Sequence, residues 1–187
     1  DHTGMANDDL SGVAVGIELM RRLQKRSERH YSYTFLIVQE MLGSAAFFEE
    51  YPEVTDDFVY GIYLEMLGND NRLMLQRSFD EDSRLDSIAE RVLKTNVPEF
   101  EIGEFRTPIG NDELILESPG YEIPTISLHR GPYPEYHTHF DNPSIIREDR
   151  LQQGLSVALE IVDILEKDFV PIRNFRGAPS LANPMYD

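Results

Sequence analysis

Apolar residues along the chain recur with two spacings in alternation, one typical of helices and one typical of buried strands. From Ser11 they recur at helical spacing, which predicts a helix that ends in the polar run Gln24–Arg29. Its apolar positions are Val13, Ile17, Met20 and Leu23. The unbroken β-favouring run Tyr33–Val38 predicts a strand buried on both faces of a parallel sheet. After it, Ser44–Glu50 predicts a short helix and Phe58–Leu67 a second buried strand.

The second half of the chain continues the alternation. Ser83 begins a helix, and Asp86 three residues later forms a weak capping box with it. Phe100–Phe105 alternates and predicts an edge strand, whereas Pro124–Leu128 predicts a short strand. Ser144 begins the longest predicted helix. The buried stripe of that helix is Leu151, Leu155, Ala158, Leu159, Val162 and Leu165.

Helices and strands in alternation predict a three-layer α/β/α fold around a mostly parallel central sheet. The sequence starts at Asp1 with no strand before the first helix, so we expect the later part of a larger domain, incomplete at its N-terminus. The predicted domain covers residues 1–170, and residues 171–187 are expected to form a C-terminal tail or linker.

Composition narrows the classes of function. Lys and Arg number 17 and Asp and Glu number 34, so the net charge is −17. Such a charge repels nucleic acid and anionic membrane surfaces, and neither is expected as a partner. The apolar runs fall far short of the ~20 residues that span a bilayer. Cysteine is absent, which fits a cytoplasmic protein and leaves His, Asp and Glu as the metal ligands available.

Several candidate ligands follow the predicted strands. Ligands of open α/β sheets bind beyond the carboxyl ends of the strands. Glu40 follows the first strand, Glu65 lies near the end of the second, and His137 follows the fourth, Pro124–Leu128. Asp8 lies in the turn before the first helix. The sequence therefore predicts a site of nitrogen and oxygen ligands, suited to zinc, at one edge of the sheet.

Each of these residues also has a purely structural interpretation. Acidic residues such as Asp8 are common at helix starts, where they cap the helix. A carboxylate that follows a strand, as Glu40 does, is often merely solvated. A histidine in a loop is more often a surface residue than a ligand. Glu65 differs, because an ionised group inside an apolar strand is costly unless it is paired or bound to metal.

Four short segments resemble motifs of the zinc exopeptidases of the aminopeptidase type. They are DHTGMANDDLSG at 1–12, QEMLGS at 39–44, YLEMLGN at 63–69 and YHTHFDN at 136–142. The resemblance is closer to a bacterial subgroup, the aminopeptidase-like proteins whose domain was long catalogued as of unknown function. The chain has that subgroup's segments in the same order, as HTGMAND, EMLGS, NDELILESPG and YPEYHT, over nearly its whole length.

The resemblance implies a set of roles for individual residues. It assigns one or two zinc ions to His2, Asp8 and His137, with Glu65 as a possible additional ligand. Glu40 is expected to be the general base. The expected substrate-binding residues are Asp112 and Glu113 for an ammonium group, Arg130 for a carboxylate or oxyanion unless it forms a salt bridge, and Tyr136.

The chain departs from the dizinc enzymes next to Glu40. Those enzymes have two adjacent glutamates, one a base and one a ligand, whereas here Gln39 precedes Glu40. Either the site holds one zinc and Glu40 is the base, or Glu40 is a ligand and the base is lost or replaced. The subgroup's usual proline and serine are also replaced, by Thr3 and Asn111.

The sequence thus predicts a zinc-dependent hydrolase that acts on the amino end of a peptide or small amide and that can form a homo-oligomer. One alternative is acyl-transfer or cyclising chemistry on the same scaffold. The other is a pseudo-enzyme, a binding module that kept the fold and lost the second glutamate.

Overall fold

The computed structural model describes residues 2–177. Its helices are α1 (Leu10–Gln24), α2 (Leu42–Glu50), α3 (Pro52–Thr55), α4 (Arg84–Asn96), α5 (Glu113–Leu116) and α6 (Glu148–Leu165). Its strands are β1 (Gly61–Leu64), β2 (Leu73–Gln76), β3 (Phe100–Gly103) and β4 (Thr125–His129). Within residues 2–177, none of the helices has the length and apolar character to cross a membrane. The boundary at residue 170 stays a prediction, and residues 178–187 of the expected tail lie outside the described part.

The four strands form one sheet in the order β1-β4-β2-β3. β1 pairs with β4 and β2 pairs with β3 in parallel, while β2 and β4 are antiparallel. The expected α/β fold with a mostly parallel central sheet is confirmed. The predicted edge strand is also confirmed, because β3 lies at one end of the sheet.

The two faces of the sheet differ in character. Ile126 and Leu128 of β4 lie in the main hydrophobic core, together with residues of α1, α4 and α6. Because neighbouring side chains of a strand point to opposite faces, Ser127 and His129 lie on the other face, where they are also buried. One face of the sheet therefore holds the fold together, and the other carries buried polar groups near the predicted site.

Helix α1 buries a different stripe from the predicted one. The Oγ atom of Ser11 accepts a hydrogen bond from the backbone N–H of Leu67, 2.8 Å away, which turns the first helical turn inward. The buried residues then follow from Ser11 at intervals of four, as Val15, Leu19 and Leu23. Of the expected apolar positions, only Leu23 is fully buried.

The expected strand Tyr33–Val38 is wrong. Among residues 2–177, no strand pairs with this segment. Tyr33 and Phe35 pack against the core, but Ile37 is 59% exposed and Val38 46% exposed. The β-favouring composition gives an extended backbone here, but a strand also needs a neighbour to bond its N–H and C=O groups.

Other boundaries differ in smaller ways. The strand expected at Phe58–Leu67 is limited to the four residues of β1, and β2 was not predicted. The longest helix begins at Glu148 rather than Ser144, because residues 143–145 form a separate 3-10 turn that the Asn142 side chain caps. Helix α4 has the predicted Ser83–Asp86 capping box.

Glu117, just after α5, joins two parts of the fold. Its carboxylate accepts hydrogen bonds from the backbone N–H groups of Phe79, at 2.9 Å, and Thr125, at 3.1 Å. Burial raises the pKa of Glu117 to about 7, although these two hydrogen bonds favour the charged form. Folding therefore stabilises the protonated form of this side chain.

This shift predicts a pH dependence of stability. The unfolded chain ionises Glu117 near its ordinary pKa of 4.5, so the folded protein binds the extra proton between about pH 4.5 and 7. Stability from this group is complete below that range and is lost as the pH rises through it. Glutamine stays neutral throughout. We expect the free energy of unfolding of Glu117→Gln, relative to wild type, to rise over this range and then level off.

Urea unfolding at a series of pH values measures this difference. The exposed Glu104 provides a control for the loss of a surface carboxylate, and Glu104→Gln should leave the free energy of unfolding close to that of wild type. A pH-independent difference between wild type and Glu117→Gln would contradict the assignment.

Candidate metal centre

Three of the predicted ligands come together at one point. Nε2 of His137 lies 3.4 Å from Oδ2 of Asp8, and Nδ1 of His2 lies 3.9 Å from the same oxygen. The three ligand atoms lie within 4.8 Å of one another. His2 and Asp8 are half-buried, whereas His137 is exposed. The group thus lies at the surface, where a metal ion and a substrate can reach it.

The donor set and its spacing fit zinc. Two atoms that each bond zinc at about 2.1 Å are at most about 4.2 Å apart. Both histidine–aspartate distances fall within that limit. Two imidazole nitrogens with one carboxylate match the ligands of catalytic zinc sites, which keep a further position for water or substrate.

The turn that carries Asp8 is anchored to the end of β1. Asp9, Ser11 and Asn7 accept hydrogen bonds, in that order, from the three consecutive N–H groups of residues 66–68, each at 2.8 Å. Asp9 also caps α1. Burial raises the pKa of Asp9 well above its ordinary value. Asp9 and its neighbours therefore hold the turn in place, and only Asp8 of the acidic pair faces the two histidines.

Asp141 was not predicted, yet it contacts both His2 and the Asp8 turn. Its carboxylate is fully buried and accepts hydrogen bonds from His2 Nε2 and from the Asp8 backbone N–H, both at 3.0 Å. Burial alone acts to raise the pKa of Asp141, but these donors hold it below its ordinary value. The sequence signal was its place at the end of the YHTHFD segment that also carries His137.

Glu40 lies on a strained turn beside the cluster. The backbone at Met41 has φ 61° and ψ −53°, and the Leu42 N–H donates to the Glu40 carbonyl at 2.6 Å. This is a γ-turn with positive φ, a rare conformation for a side chain with a Cβ. Partial burial and the carboxylates of Asp112 and Asp8 raise the pKa of Glu40. The charge of Asp8 therefore acts on Glu40, in a setting that favours proton uptake by the Glu40 carboxylate.

Asp112 holds this turn in place. Its Oδ1 atom accepts a hydrogen bond from the Met41 N–H at 3.1 Å, and the residue is buried. Glu113 is buried as well, and both of its carboxylate oxygens accept from the Asn111 N–H, at 2.8 and 2.9 Å. Arg106 lies 3.5 Å from Glu113. Both carboxylates thus have internal partners, and their expected contact with a substrate ammonium group stays a prediction.

Glu65 is buried next to the cluster without joining it. Its carboxylate accepts hydrogen bonds from the Asn111 side chain at 2.6 Å and from Ser127 Oγ at 3.2 Å. Burial, reinforced by the nearby carboxylate of Asp9, raises the pKa of Glu65 well above its ordinary value. The partners of this carboxylate within residues 2–177 are thus neutral polar side chains rather than cationic ones.

Arg130 is buried in the interior of the protein. Arg130 is 1% exposed, and its guanidinium donates to the carbonyl oxygens of Leu67 and Asn71 and to the Gln153 side chain. Burial lowers its pKa to about 10. Arg130 therefore has internal hydrogen-bond partners, and within residues 2–177 it forms no salt bridge. Its expected contact with a substrate carboxylate or oxyanion stays a prediction.

Tyr136 lies at the cluster. Its ring stacks on that of His137, with the ring centres 3.7 Å apart. Burial and the carboxylates of Asp8 and Glu65 raise the pKa of Tyr136 to about 12. The phenol therefore keeps its proton at neutral pH and can donate a hydrogen bond.

One protein of similar sequence is described as having an aminopeptidase-like domain. The sequence is 31% identical over 169 residues to a Clostridium acetobutylicum protein that is provisionally described as a polysaccharide biosynthesis protein with an aminopeptidase-like domain. The alignment covers 89% of this chain and 38% of that protein. The chain thus spans less than half the length of this relative.

Solved structures show the same fold. A crystal structure of a protein from the same organism, provisionally described as a peptidase, matches with a TM-score of 0.83 at 29% identity, over 94% of this chain and 42% of that one. The zinc aminopeptidase BSAP from Bacillus subtilis matches with a TM-score of 0.71 at 19% identity, over 86% of this chain and 42% of that one. The second likeness establishes the fold alone.

A family model supplies the assignment of the chain. The model of the domain of unknown function DUF4910 matches residues 1–168, which is most of the sequence. The chain therefore belongs to the DUF4910 family, and its fold is similar to that of a zinc aminopeptidase.

Proposed function

We propose that this chain carries the metal site of a zinc-dependent hydrolase that removes residues from the amino end of a peptide or cleaves a small amide. The observation that carries the proposal is the convergence of His2, Asp8 and His137. The aminopeptidase-like relative and the aminopeptidase fold support the same reaction class.

His2, Asp8 and His137 would hold the zinc ion. Zinc in such a site supplies a Lewis acid for the substrate carbonyl and lowers the pKa of water toward neutrality. Glu65 is the candidate additional ligand if a second ion binds, since within residues 2–177 its buried carboxylate accepts hydrogen bonds only from the neutral donors of Asn111 and Ser127.

Glu40 is the proposed general base. It accepts a proton from the attacking water and passes it to the leaving amine. A raised pKa suits that role, because the carboxylate must both take up and release the proton near neutral pH. The strained turn at Met41, held by Asp112, fixes the direction of the Glu40 side chain.

Two further features suit an amino-terminal substrate. The site contains a concentration of carboxylates, and the net charge of −17 attracts a substrate ammonium group. Asp112 and Glu113 remain candidates for contacting that ammonium if substrate binding rearranges their present hydrogen bonds. Tyr136 is the candidate donor to the developing oxyanion, because its phenol is protonated and stacked beside His137.

A second candidate function rests on Gln39. Its amide occupies the position before Glu40 at which the dizinc enzymes have a second carboxylate. An amide cannot accept a proton at neutral pH or replace the charge of a carboxylate ligand. This substitution favours a pseudo-enzyme that binds a peptide without cleaving it.

Zinc stoichiometry and turnover together separate the two candidates. We expect the purified protein to bind zinc, to release amino acids from a panel of amino-acid amides, and to lose this activity when a chelator removes the metal. Bound zinc without turnover on any amide or peptide of the panel favours the pseudo-enzyme. Absence of zinc binding refutes the zinc-dependent hydrolase and leaves the pseudo-enzyme as the remaining candidate.

A further inference from the structure

The buried carboxylate of Asp141 collects four hydrogen bonds. His2 Nε2, Tyr133 Oη and the Asp8 N–H each donate at 3.0 Å, and the Asn7 N–H donates at 2.7 Å. One side chain thus bonds a candidate zinc ligand and also the backbone of a second one. Its own segment, four residues earlier, carries the third ligand, His137.

The contact with His2 determines which imidazole nitrogen can bind metal. An ionised carboxylate has no hydrogen to donate, so in neutral His2 the hydrogen must lie on Nε2, which faces Asp141. Nδ1 then has a free lone pair, and Nδ1 is the atom that lies 3.9 Å from Asp8. The donor side of the ring faces the carboxylate, and the acceptor side faces the proposed metal position.

We propose that Asp141 is the positioning residue of the zinc site: it holds His2 in the Nε2–H tautomer, with Nδ1 directed at the metal, and fixes Asp8 beside it. This inference rests on the proposed zinc function. Carboxylates that bond a ligand histidine in this way orient the ring and raise its basicity, and their loss typically costs about 10- to 100-fold in metal affinity.

A purely structural role for Asp141 makes a different prediction. The hydrogen bonds from Tyr133 and Asn7 connect the loop to the first turn whether or not His2 has a defined tautomer. If Asp141 serves only this connection, its loss lowers stability. The ring of His2 then exchanges between tautomers already in the wild type. The tautomer of His2 is therefore the property that separates the two roles.

The test begins with the metal-free wild-type protein labelled with ¹⁵N at histidine. Long-range ¹H–¹⁵N spectra are recorded well above the ordinary histidine pKa of about 6.5. We expect His2 to show a protonated Nε2 and an unprotonated Nδ1. An Nδ1–H form, or an averaged mixture of both tautomers, overturns the proposal and needs no variant that could fail to fold.

Zinc affinity by competition with a chelator provides the second measurement. Asp141→Asn keeps the size of the side chain and removes its charge, and we expect it to weaken zinc binding by about 10- to 100-fold. Tyr133→Phe is the matched control, since it removes one donor to Asp141 without altering the contact with His2. We expect its zinc affinity to stay close to that of wild type.

The outcomes are distinguishable from failure of the proposed function. Equal zinc affinity in Asp141→Asn and Tyr133→Phe, both folded, overturns the positioning role while the zinc site stands. Absence of zinc binding in the wild type refutes the proposed function itself. Turnover enters neither the tautomer measurement nor the zinc affinity, so the test of Asp141 does not depend on catalytic activity.

Discussion

We expect Glu40→Gln to retain zinc and to lose at least about a hundredfold in turnover, within the usual range for removal of a general base. Glutamine keeps the size and hydrogen-bonding capacity of the side chain but cannot accept the proton of the attacking water. The charges of Asp8 and His137 act on Glu40, but Glu40 does not belong to the group of three ligands, so its loss should affect the reaction rather than metal binding.

The measurement pairs zinc stoichiometry with turnover on amino-acid amides, for wild type and variant. Glu49→Gln, an exposed change on α2 in the same part of the chain, is the control and should alter neither quantity. Loss of zinc in Glu40→Gln would make Glu40 a ligand, which is the alternative that Gln39 leaves open. Unchanged turnover would remove Glu40 from the mechanism.

The second large effect concerns two histidines of one loop. We expect His137→Ala to lose zinc and His139→Ala to retain it. Nε2 of His137 lies 3.4 Å from Asp8, whereas the ring of the exposed His139 lies against Phe140, with the ring centres 3.9 Å apart. Removing one of three ligands eliminates a bond that the remaining two cannot replace.

Elemental analysis of both purified variants after equilibration with zinc measures this difference. Circular dichroism establishes that each variant is folded. Because the side chain of His137 is exposed, its replacement by alanine is not expected to unfold the protein. Equal zinc content in the two variants would exclude His137 as a ligand.

Local patterns predicted much of the fold, and long-range partners account for the errors. Helix α4 has a cap and an apolar stripe encoded within its own residues, so its start could be read from the sequence. Tyr33–Val38 has the composition of a buried strand, but whether a neighbour pairs with it depends on parts of the fold far away in the chain. The four residues of β2 are too short a run to show a period.

The candidate site shows the same division. His2, Asp8 and His137 were predicted from short motifs, and the structure brings them together. Asp141 was missed because its partner His2 is 139 residues away, so its place in the YHTHFD segment did not by itself reveal that contact. Arg130 also depends on distant partners, because the sequence could not reveal that its guanidinium donates to backbone carbonyl oxygens of other segments.

The central claim is that His2, Asp8 and His137 hold a zinc ion, and anomalous diffraction at the zinc absorption edge tests it most directly. Crystals of the zinc-equilibrated protein should show an anomalous peak about 2.0–2.2 Å from His2 Nδ1, His137 Nε2 and a carboxylate oxygen of Asp8. Anomalous peaks located only elsewhere in the molecule, with these three side chains bound to no metal, would contradict the account.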